Sequence, residues 1–271
     1  MNATILTMAP AVSRGVSAST MSPGRLALAY LTEARYEALR MLRAPAFAIP
    51  FLVLPVIIYL FFGVMISASA IAKTPKLADF LFLGFSTMAV MGPALFGMGC
   101  TLAVERDSGL MKLKRALPAP PGAYLLSKMI MSMFFATVAM ALMICAAVVS
   151  GQTHLSPGGF AAVAAILIVG SVPFCAVGLL IGALSSGGAA PAFANLVYLP
   201  MIWLSGLFIP LPGIMQKLTV IWPAFHLDQI ALHAIDLKGF MFMPPLMSIA
   251  VLVAMTVVFG GAAIHRLARK G

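Results

Sequence analysis

The sequence predicts an all-α integral membrane protein with six transmembrane helices, an N-terminal amphipathic interface helix and a re-entrant helical hairpin before the last span. Of its residues, 62% are hydrophobic and 9% are charged, whereas soluble proteins carry about 25% charged residues. The mean hydropathy is +1.07. The apolar residues lie in long stretches, and Lys and Arg lie in the connectors, as membrane orientation requires. A nucleic-acid-binding protein would instead gather its cationic residues on one solvated face, so we expect membrane lipids and no nucleic acid as partners.

Residues 1–24 are rich in Ser, Ala, Thr and Pro, carry one charge, and predict a disordered cytoplasmic tail that is not a signal peptide. The membrane domain, residues 25–271, begins with an interface helix over 25–43. On that helix three polar residues share one side and apolar residues the other: Glu33, Glu37 and Arg40 against Leu31, Ala34, Ala38, Met41 and Leu42. Such a helix belongs in the membrane interface, and an ordinary cytoplasmic helix is the alternative.

Six apolar stretches follow, each near the roughly 20 residues that the hydrocarbon core demands. They cover about 46–66, 80–103, 127–149, 160–183, 191–209 and 243–264. No charged residue lies inside them except Lys128 at an edge. Ion-coupled carriers usually keep an ionisable residue within the membrane. The absence of charged residues from the interior of these six stretches therefore disfavours an ion-coupled carrier.

Loop charges predict the orientation. With the N-terminus inside, the inner segments hold thirteen Lys and Arg residues and the outer segments hold four. Cytoplasmic loops carry the excess of positive charge. Both termini are therefore expected in the cytoplasm, which agrees with an even number of spans.

The connection from 210 to 240 contains two short helical segments, which are separated by Pro223 and are too short to span a bilayer. They can dip in from the outer face as a re-entrant hairpin, with Pro210, Pro212 and Gly213 at its start. His226, Gln229, His233 and Asp236 form a polar stripe that we expect to be a wet face, rather than a metal or proton site. The hairpin is the expected outer gate.

Small residues mark helix packing in the fourth span, where Gly178 and Gly182 form a small-xxx-small ridge. Packing within the subunit and packing between subunits both fit this pattern. The cysteines Cys100, Cys145 and Cys175 lie inside apolar stretches without metal-ligand spacing, so no metal site is predicted. The sequence contains no phosphate-binding loop of the GxxxxGK[ST] type, and we expect no enzymatic activity and no cofactor in this chain.

The most specific segment is 104–128, VERDSGLMKLKRALPAPPGAYLLSK. Gly109 can end the second span, and Leu110, Leu113 and Leu117 form an apolar edge that can dock in a partner's groove. The three cationic residues of the loop helix can stay solvated. The three prolines after it make a stiff, non-helical return of the chain toward the third span. A positively charged loop that only fixes topology is the alternative interpretation.

In order and spacing this segment resembles the cytoplasmic signature of ABC type 2 exporter permeases. The matching positions are Glu105, Arg106, Asp107, Gly109, Leu113, Arg115, Pro118 and Lys128. The segment LPMIWLSGLFIPLPGIM at the end of the fifth stretch, with Pro200, Ser205, Gly206, Pro210 and Pro212, is similar to that family as well. One departure is that Lys112, Lys114 and Arg115 make the short loop helix purely basic, where many family members carry an acidic residue.

The resemblance implies a permease subunit of an ATP-driven exporter in a bacterial plasma membrane, moving drugs, lipids or lipid-linked glycans. It implies two permeases, identical or different, with two separate ATPase subunits that bind ATP and Mg. Glu105 and Arg106 would then position the loop helix, which Leu113 and Leu117 would dock. Two other classes stay open: a channel or ion-coupled carrier that needs no ATPase, and an envelope assembly protein that transports nothing.

Overall fold

The computed structural model of this chain describes residues 22–63, 65, 69, 75–111, 113, 123–209, 211 and 213–270. Within these ranges every regular element is a helix, which confirms the predicted all-α class. Residues 1–21 of the predicted N-terminal tail lie outside the described residues. The first helix begins at Pro23, two residues earlier than expected.

The described residues form eleven α-helices and one π-helical segment. In chain order they are α1 Pro23–Leu42, α2 Pro45–Leu52, α3 Leu54–Ile58, the π-helix Tyr59–Gly63, α4 Pro75–Asp107, α5 Ala123–Ser150, α6 Pro157–Val169, α7 Val172–Leu184, α8 Ala190–Leu204, α9 Ile214–Thr219, α10 Pro223–Ala234 and α11 Pro245–Lys270.

Five helical segments are long and apolar enough to cross a membrane: Pro45–Phe62, Lys76–Asp107, Tyr124–Ser150, Pro157–Leu184 and Pro245–Arg269. They correspond to the first, second, third, fourth and sixth predicted stretches. The fifth stretch forms α8, which has only 15 residues. At 1.5 Å per residue α8 is about 22 Å long, shorter than the roughly 30 Å hydrocarbon core. The six-span count therefore stays a prediction.

Helix α4 lies at the centre of the bundle, and its most apolar window is wholly buried. Helices α5, α7, α8 and α10 pack around it. Its contact with α7 is backbone to backbone: a Cβ on Gly178 would lie 2.4 Å from Leu95 O, and one on Gly182 would lie 2.5 Å from Gly99 O. The small-residue ridge therefore packs within the subunit, which decides between the two interpretations that the sequence left open.

The connectors separate into two ends. At one end, which we call the loop end, α1 meets the end of α4 through an ion pair of 2.6 Å between Arg40 Nη2 and Glu105 Oε1. The turn between α7 and α8 also lies there. At the opposite end, His154 N–H donates to Asp79 Oδ1 at 2.9 Å, and Lys76 Nζ donates to the carbonyl of Lys238 at 3.3 Å. The segments predicted on the inner side of the membrane thus contact each other at the loop end, and those predicted on the outer side contact each other at the opposite end.

Helix α1 packs against α5 with a face that differs from the predicted apolar one. Ala34, Glu37 and Met41 are buried, whereas Leu31 is exposed. The amphipathic pattern placed Glu37 on the side opposite the apolar residues, yet Glu37 is buried together with two of them. The reason is that Glu37 has a cationic partner on α5, described below.

Candidate functional site

Three consecutive residues, Glu105, Arg106 and Asp107, end helix α4 immediately before the predicted loop helix. The helix stops there because Gly109 adopts a left-handed conformation with φ of +75°, which glycine takes without steric cost. Its N–H donates to Arg106 O at 3.1 Å. The predicted break at Gly109 is confirmed, and it fixes the point at which the chain leaves the bundle.

Glu105 joins an ion cluster, which we define as the buried Glu37 of α1, Glu105 of α4 and Lys128 of α5 together with the exposed Arg40 of α1. Lys128 is fully buried; its Nζ contacts Glu37 Oε1 and lies 3.2 Å from Glu105 Oε1. Arg40 Nη2 lies 3.2 Å from Glu37 Oε1, as the i, i+3 spacing predicted. The cluster therefore connects three helices at the loop end.

Two hydroxyl groups complete the ion cluster. Tyr124 donates from its phenol to Glu105 Oε2 at 2.5 Å, and Lys128 Nζ donates to Thr101 Oγ1 at 2.9 Å. The Lys128 ammonium also lies 5.1 Å from the centre of the Tyr124 ring, within cation–π range. Each buried charge thus has several polar partners, which is the condition for a buried ion pair to be tolerated.

Charges within the ion cluster balance, with two carboxylates and two cations. Burial alone would lower the pKa of Arg40, but the carboxylates of Glu37 and Glu105 outweigh it and hold that pKa above its ordinary value. Removing one member leaves an uncompensated charge in a region of low dielectric constant, which is costly. The cluster is therefore a cooperative unit that fixes α1, α4 and α5 relative to each other.

Arg106 faces helix α7. Its guanidinium donates to the carbonyls of Gly182 at 3.0 Å, Ala183 at 2.9 Å and Ser185 at 2.7 Å. The last carbonyls of a helix have no partner within the helix, and the helix dipole favours a cation there. Arg106 therefore caps the C-terminus of α7.

Asp107 holds the turn that follows α7. Its Oδ2 accepts from Gly187 N–H at 2.7 Å, and its Oδ1 accepts from Arg106 Nη2 at 3.1 Å. Three consecutive side chains thus contact three different parts of the protein: the ion cluster, the end of α7 and the α7–α8 turn. Residue spacing along one helix explains this, since successive side chains point about 100° apart.

The loop helix itself is only partly described. Leu110 is half-buried, and Leu113, with its N–H 3.3 Å from Gly109 O, is 62% exposed. The predicted loop residues Lys112, Lys114, Arg115, Leu117 and Pro118 lie outside the described residues. Leu113 is accessible at the loop end, as a docking residue must be.

In the predicted hairpin, Pro210 and Pro212 lie outside the described residues. Gly213 has φ of +57° before α9, and Pro223 begins α10. The wet-face interpretation of the polar stripe was wrong for His226 and Gln229, which are buried. His226 Nε2 lies 2.8 Å from Val220 O, and Gln229 Oε1 accepts from Phe242 N–H at 2.7 Å. They face inward because they satisfy backbone groups of the adjoining turns.

The rest of the stripe behaves differently. His233 is half-buried, with Nδ1 2.8 Å from Gln229 O, and Asp236 is exposed, with Oδ2 3.3 Å from Lys238 Nζ. Helix α10 is buried along most of its length and packs against α4, α6 and α11.

Sequence reasoning missed the ion cluster. It grouped Glu37 with the polar side of the interface helix and assigned Lys128 to the cytoplasmic signature at the edge of the third span, without connecting the two residues. A usable signal was present: two acidic and two basic residues flank spans on the same predicted side, and a charge at a span edge needs a partner. Within the described residues no three His, Cys, Asp or Glu side chains could hold a metal ion, and the three cysteines are free.

Comparison with known proteins gives two findings. The ABC-2 type transporter family matches residues 29–227. The chain is also 24% identical over 193 residues to "Putative transport permease YvfS" of Bacillus subtilis (strain 168), an alignment that covers 70% of this chain and 78% of that protein.

Proposed function

Because this chain belongs to the ABC-2 type transporter family, we propose that it is the permease subunit of an ATP-binding cassette exporter. It moves a hydrophobic or amphipathic substrate (a drug, a lipid or a lipid-linked glycan) out across the bacterial plasma membrane. A separate ATPase subunit binds ATP and Mg and supplies the energy, and two permeases, identical or different, form the passage.

The observation that carries the proposal is the anchoring of the loop by Glu105, Arg106 and Asp107. A loop that only fixed topology would need positive charge but no connection to the bundle. Here the end of α4 is tied to α1 and α5 by the ion cluster, and to α7 by three hydrogen bonds from Arg106. Force applied to the loop helix by an ATPase would therefore reach four helices together.

Chain topology supports six crossings. Helix α8 starts beside the turn held by Asp107 at the loop end, and Lys238 lies at the opposite end, where Lys76 binds its carbonyl. The chain between them must traverse the bundle. We propose that α8 and the turns that follow it up to residue 209 make this crossing, as the predicted span 191–209 requires, and that the short helices after it return on the far side.

This arrangement supports a re-entrant hairpin. Leu227 of α10 lies against Gly170, where a Cβ would approach Leu227 Cδ1 to 2.1 Å. Gly170 lies in the middle of the span Pro157–Leu184. An element that starts at one end and reaches the middle of a span is suited to gate the outer side of a passage, with Gly213 and Pro223 as its bends.

An apolar groove of about 580 Å³ supports a hydrophobic substrate or a lipid chain as ligand. It lies between α6, α7, α10 and α11, and its walls include Ile166, Pro173, Ile230 and Val253. Pockets of this size and composition suit drug-sized apolar ligands.

The orientation rests on the sequence: the predicted inner segments hold thirteen Lys and Arg residues and the predicted outer segments hold four. The loop end and both termini therefore face the cytoplasm, where an ATPase would meet Leu113.

The test is Leu113→Asp in the chain co-expressed with its ATPase partner. We expect loss of co-purification of the ATPase, loss of stimulated ATP hydrolysis, and loss of ATP-driven uptake of a lipophilic fluorescent dye into inverted vesicles, whose lumen corresponds to the outside of the cell. Ser186→Asp, which adds the same charge at an exposed position of the α7–α8 turn, should change none of these. If Leu113→Asp kept co-purification, stimulated ATP hydrolysis and dye transport, the docking role of Leu113 would be refuted.

The same assay separates the other two classes. Dye movement by the purified chain without nucleotide would identify a channel or an ion-coupled carrier. No substrate-dependent turnover with the ATPase present would identify an assembly protein.

A further inference from the structure

Where α10 packs against α4, one buried carboxyl group lacks a partner. Asp228 is 3% exposed, and its Oδ1 has no hydrogen-bond partner among the described residues. Thr87 of α4 faces it closely enough to influence the carboxyl, yet Thr87 Oγ1 makes no hydrogen bond of ordinary geometry in the described structure. Buried polar groups are normally paired, so this site requires an explanation.

Beside Asp228 lies a cavity of about 10 Å³, roughly the space of one water molecule. Three of its other polar side chains have backbone partners. Ser205 donates to Met201 O, Thr219 donates to Gln216 O at 2.7 Å, and Gln229 binds Phe240 O and Phe242 N–H. Gln216 also lines the cavity and is only half-buried. Among the fully buried polar side chains of this cavity, Asp228 is the one with an oxygen that the described residues leave unsatisfied.

Charged groups on the surrounding elements do not neutralise Asp228. On α4 the cations bind elsewhere: Lys76 donates to the carbonyl of Lys238, and Arg106 donates to carbonyls at the end of α7. The acids of α4 have their own partners: Asp79 accepts from His154 N–H, and Glu105 belongs to the ion cluster. On α10 itself, His226 binds Val220 O and Ser248. His265, Arg266 and Arg269 lie near the far end of α11, about 26 Å or more along the axis from Ser248 at 1.5 Å per residue. On α8, Tyr198 donates to Met88 O, and α6 contains no titratable side chain.

Two ligands could compensate a buried carboxylate: a metal cation or a proton. A cation such as Ca²⁺ needs six to eight oxygen ligands, but Phe80, Phe225 and Phe242 form much of this cavity wall. A proton needs one acceptor and little space, and the neutral acid can donate to a hydroxyl or a water. Geometry therefore favours the proton.

We propose that Asp228 is a proton-binding site: it is a neutral carboxylic acid, directed toward Thr87, while α10 is seated against α4, and loss of the proton to solvent weakens that contact. Burial raises the pKa of Asp228 to about 8, and Thr87 lowers it in part. This site does not depend on the proposed transport role. Under that role, it would make the outer hairpin sensitive to pH.

The sign of the effect on stability follows from linkage. An unfolded Asp has a pKa of about 3.9. Between about pH 4 and about pH 8 the folded protein holds a proton that the unfolded chain has lost. The stability contributed by this proton therefore falls as pH rises through that window, and it changes no further above it.

Infrared spectroscopy of the full-length protein in lipid vesicles tests the proposal directly. The wild-type protein should show a carbonyl band of a neutral carboxylic acid that disappears near pH 8. Asp228→Asn should lack this band, and Asp236→Asn, an exposed position near the end of the same helix, should keep it. Identical spectra of the wild type and Asp228→Asn across the pH range would overturn the proposal.

A second variant keeps the test valid if Asp228→Asn fails to fold. Thr87→Val keeps the shape but removes a hydroxyl that stabilises the ionised carboxylate more than the neutral acid, so the midpoint of the same band should move to higher pH. Thermal unfolding gives an independent measure: between pH 5 and pH 8 the midpoint should fall more steeply for the wild type than for Asp228→Asn. A Thr87→Val midpoint equal to that of the wild type, or equal slopes for both proteins, would count against the site.

Discussion

Replacing Lys128 by Met is the sharpest test of the ion cluster. The substitution keeps the length and apolar stem of the side chain and removes only its charge. Lys128 contacts Glu37 and lies 3.2 Å from Glu105, and both carboxylates are buried. Arg40 alone then faces two negative charges, so the cluster carries a net charge of minus one inside the protein.

The expected magnitude comes from that uncompensated charge. Removing one partner of a buried ion pair typically costs about 3–5 kcal/mol. Here Lys128 also loses its bond to Thr101, whereas Tyr124 and Arg40 still stabilise Glu105. We therefore expect a loss in the free energy of unfolding of about 3 kcal/mol, at the lower end of this range.

The assay is equilibrium unfolding of the purified protein in detergent micelles, with a double-mutant cycle. Adding Glu37→Gln to Lys128→Met restores charge balance between Arg40 and Glu105, so the double variant should recover more than half of the lost stability. The control Lys238→Met removes an exposed lysine, paired only with an exposed Asp236, and should leave stability unchanged. A Lys128→Met protein as stable as the wild type, or a double variant no more stable than the single one, would refute the reasoning.

Two further predictions concern α7. Gly178→Val places a side chain within 2.4 Å of Leu95 O, so α7 must move away from α4. We expect the free energy of unfolding to fall by about 1–3 kcal/mol and the yield of folded protein on gel filtration to fall with it. The control Gly261→Val, where a Cβ meets nothing within 4 Å, should leave the yield unchanged. Arg106→Lys keeps the charge, but one ammonium cannot reach three carbonyls. The backbone amides of the α7–α8 turn should therefore exchange hydrogen faster, as measured by mass spectrometry. Unchanged exchange would show that the charge alone caps α7.

Hydropathy predicted most of the fold because each span must satisfy one physical requirement, about 20 apolar residues in a row. Five of six stretches form such segments. The fifth stretch, 191–209, forms a helix that is shorter than the predicted span, because the chain continues past Leu204 into turns around Gly206, whose φ is +71°. Apolar composition continues there although the helix does not, and composition alone cannot distinguish the two.

Polar residues were harder to place, because a helical pattern shows which side chains share a face but not what that face contacts. Glu37 and His226 each have a buried partner distant in the sequence: Lys128 on α5 for Glu37, and Ser248 on α11 for His226. Such partners become visible only when helices are packed. The ERD triplet was recognised from its resemblance to a family, but the three different contacts of its side chains required the structure.

The triplet has a mechanical consequence. Because Glu105, Arg106 and Asp107 each bind a different neighbour at the same helix end, we expect the adjoining ends of α1, α4, α5 and α7 to move together as one rigid body. Spin labels on the exposed residues Arg35 of α1 and Gly188 of the α7–α8 turn would then keep one separation in every nucleotide state. Changes in distance would appear only between this body and labels on the hairpin at the far side.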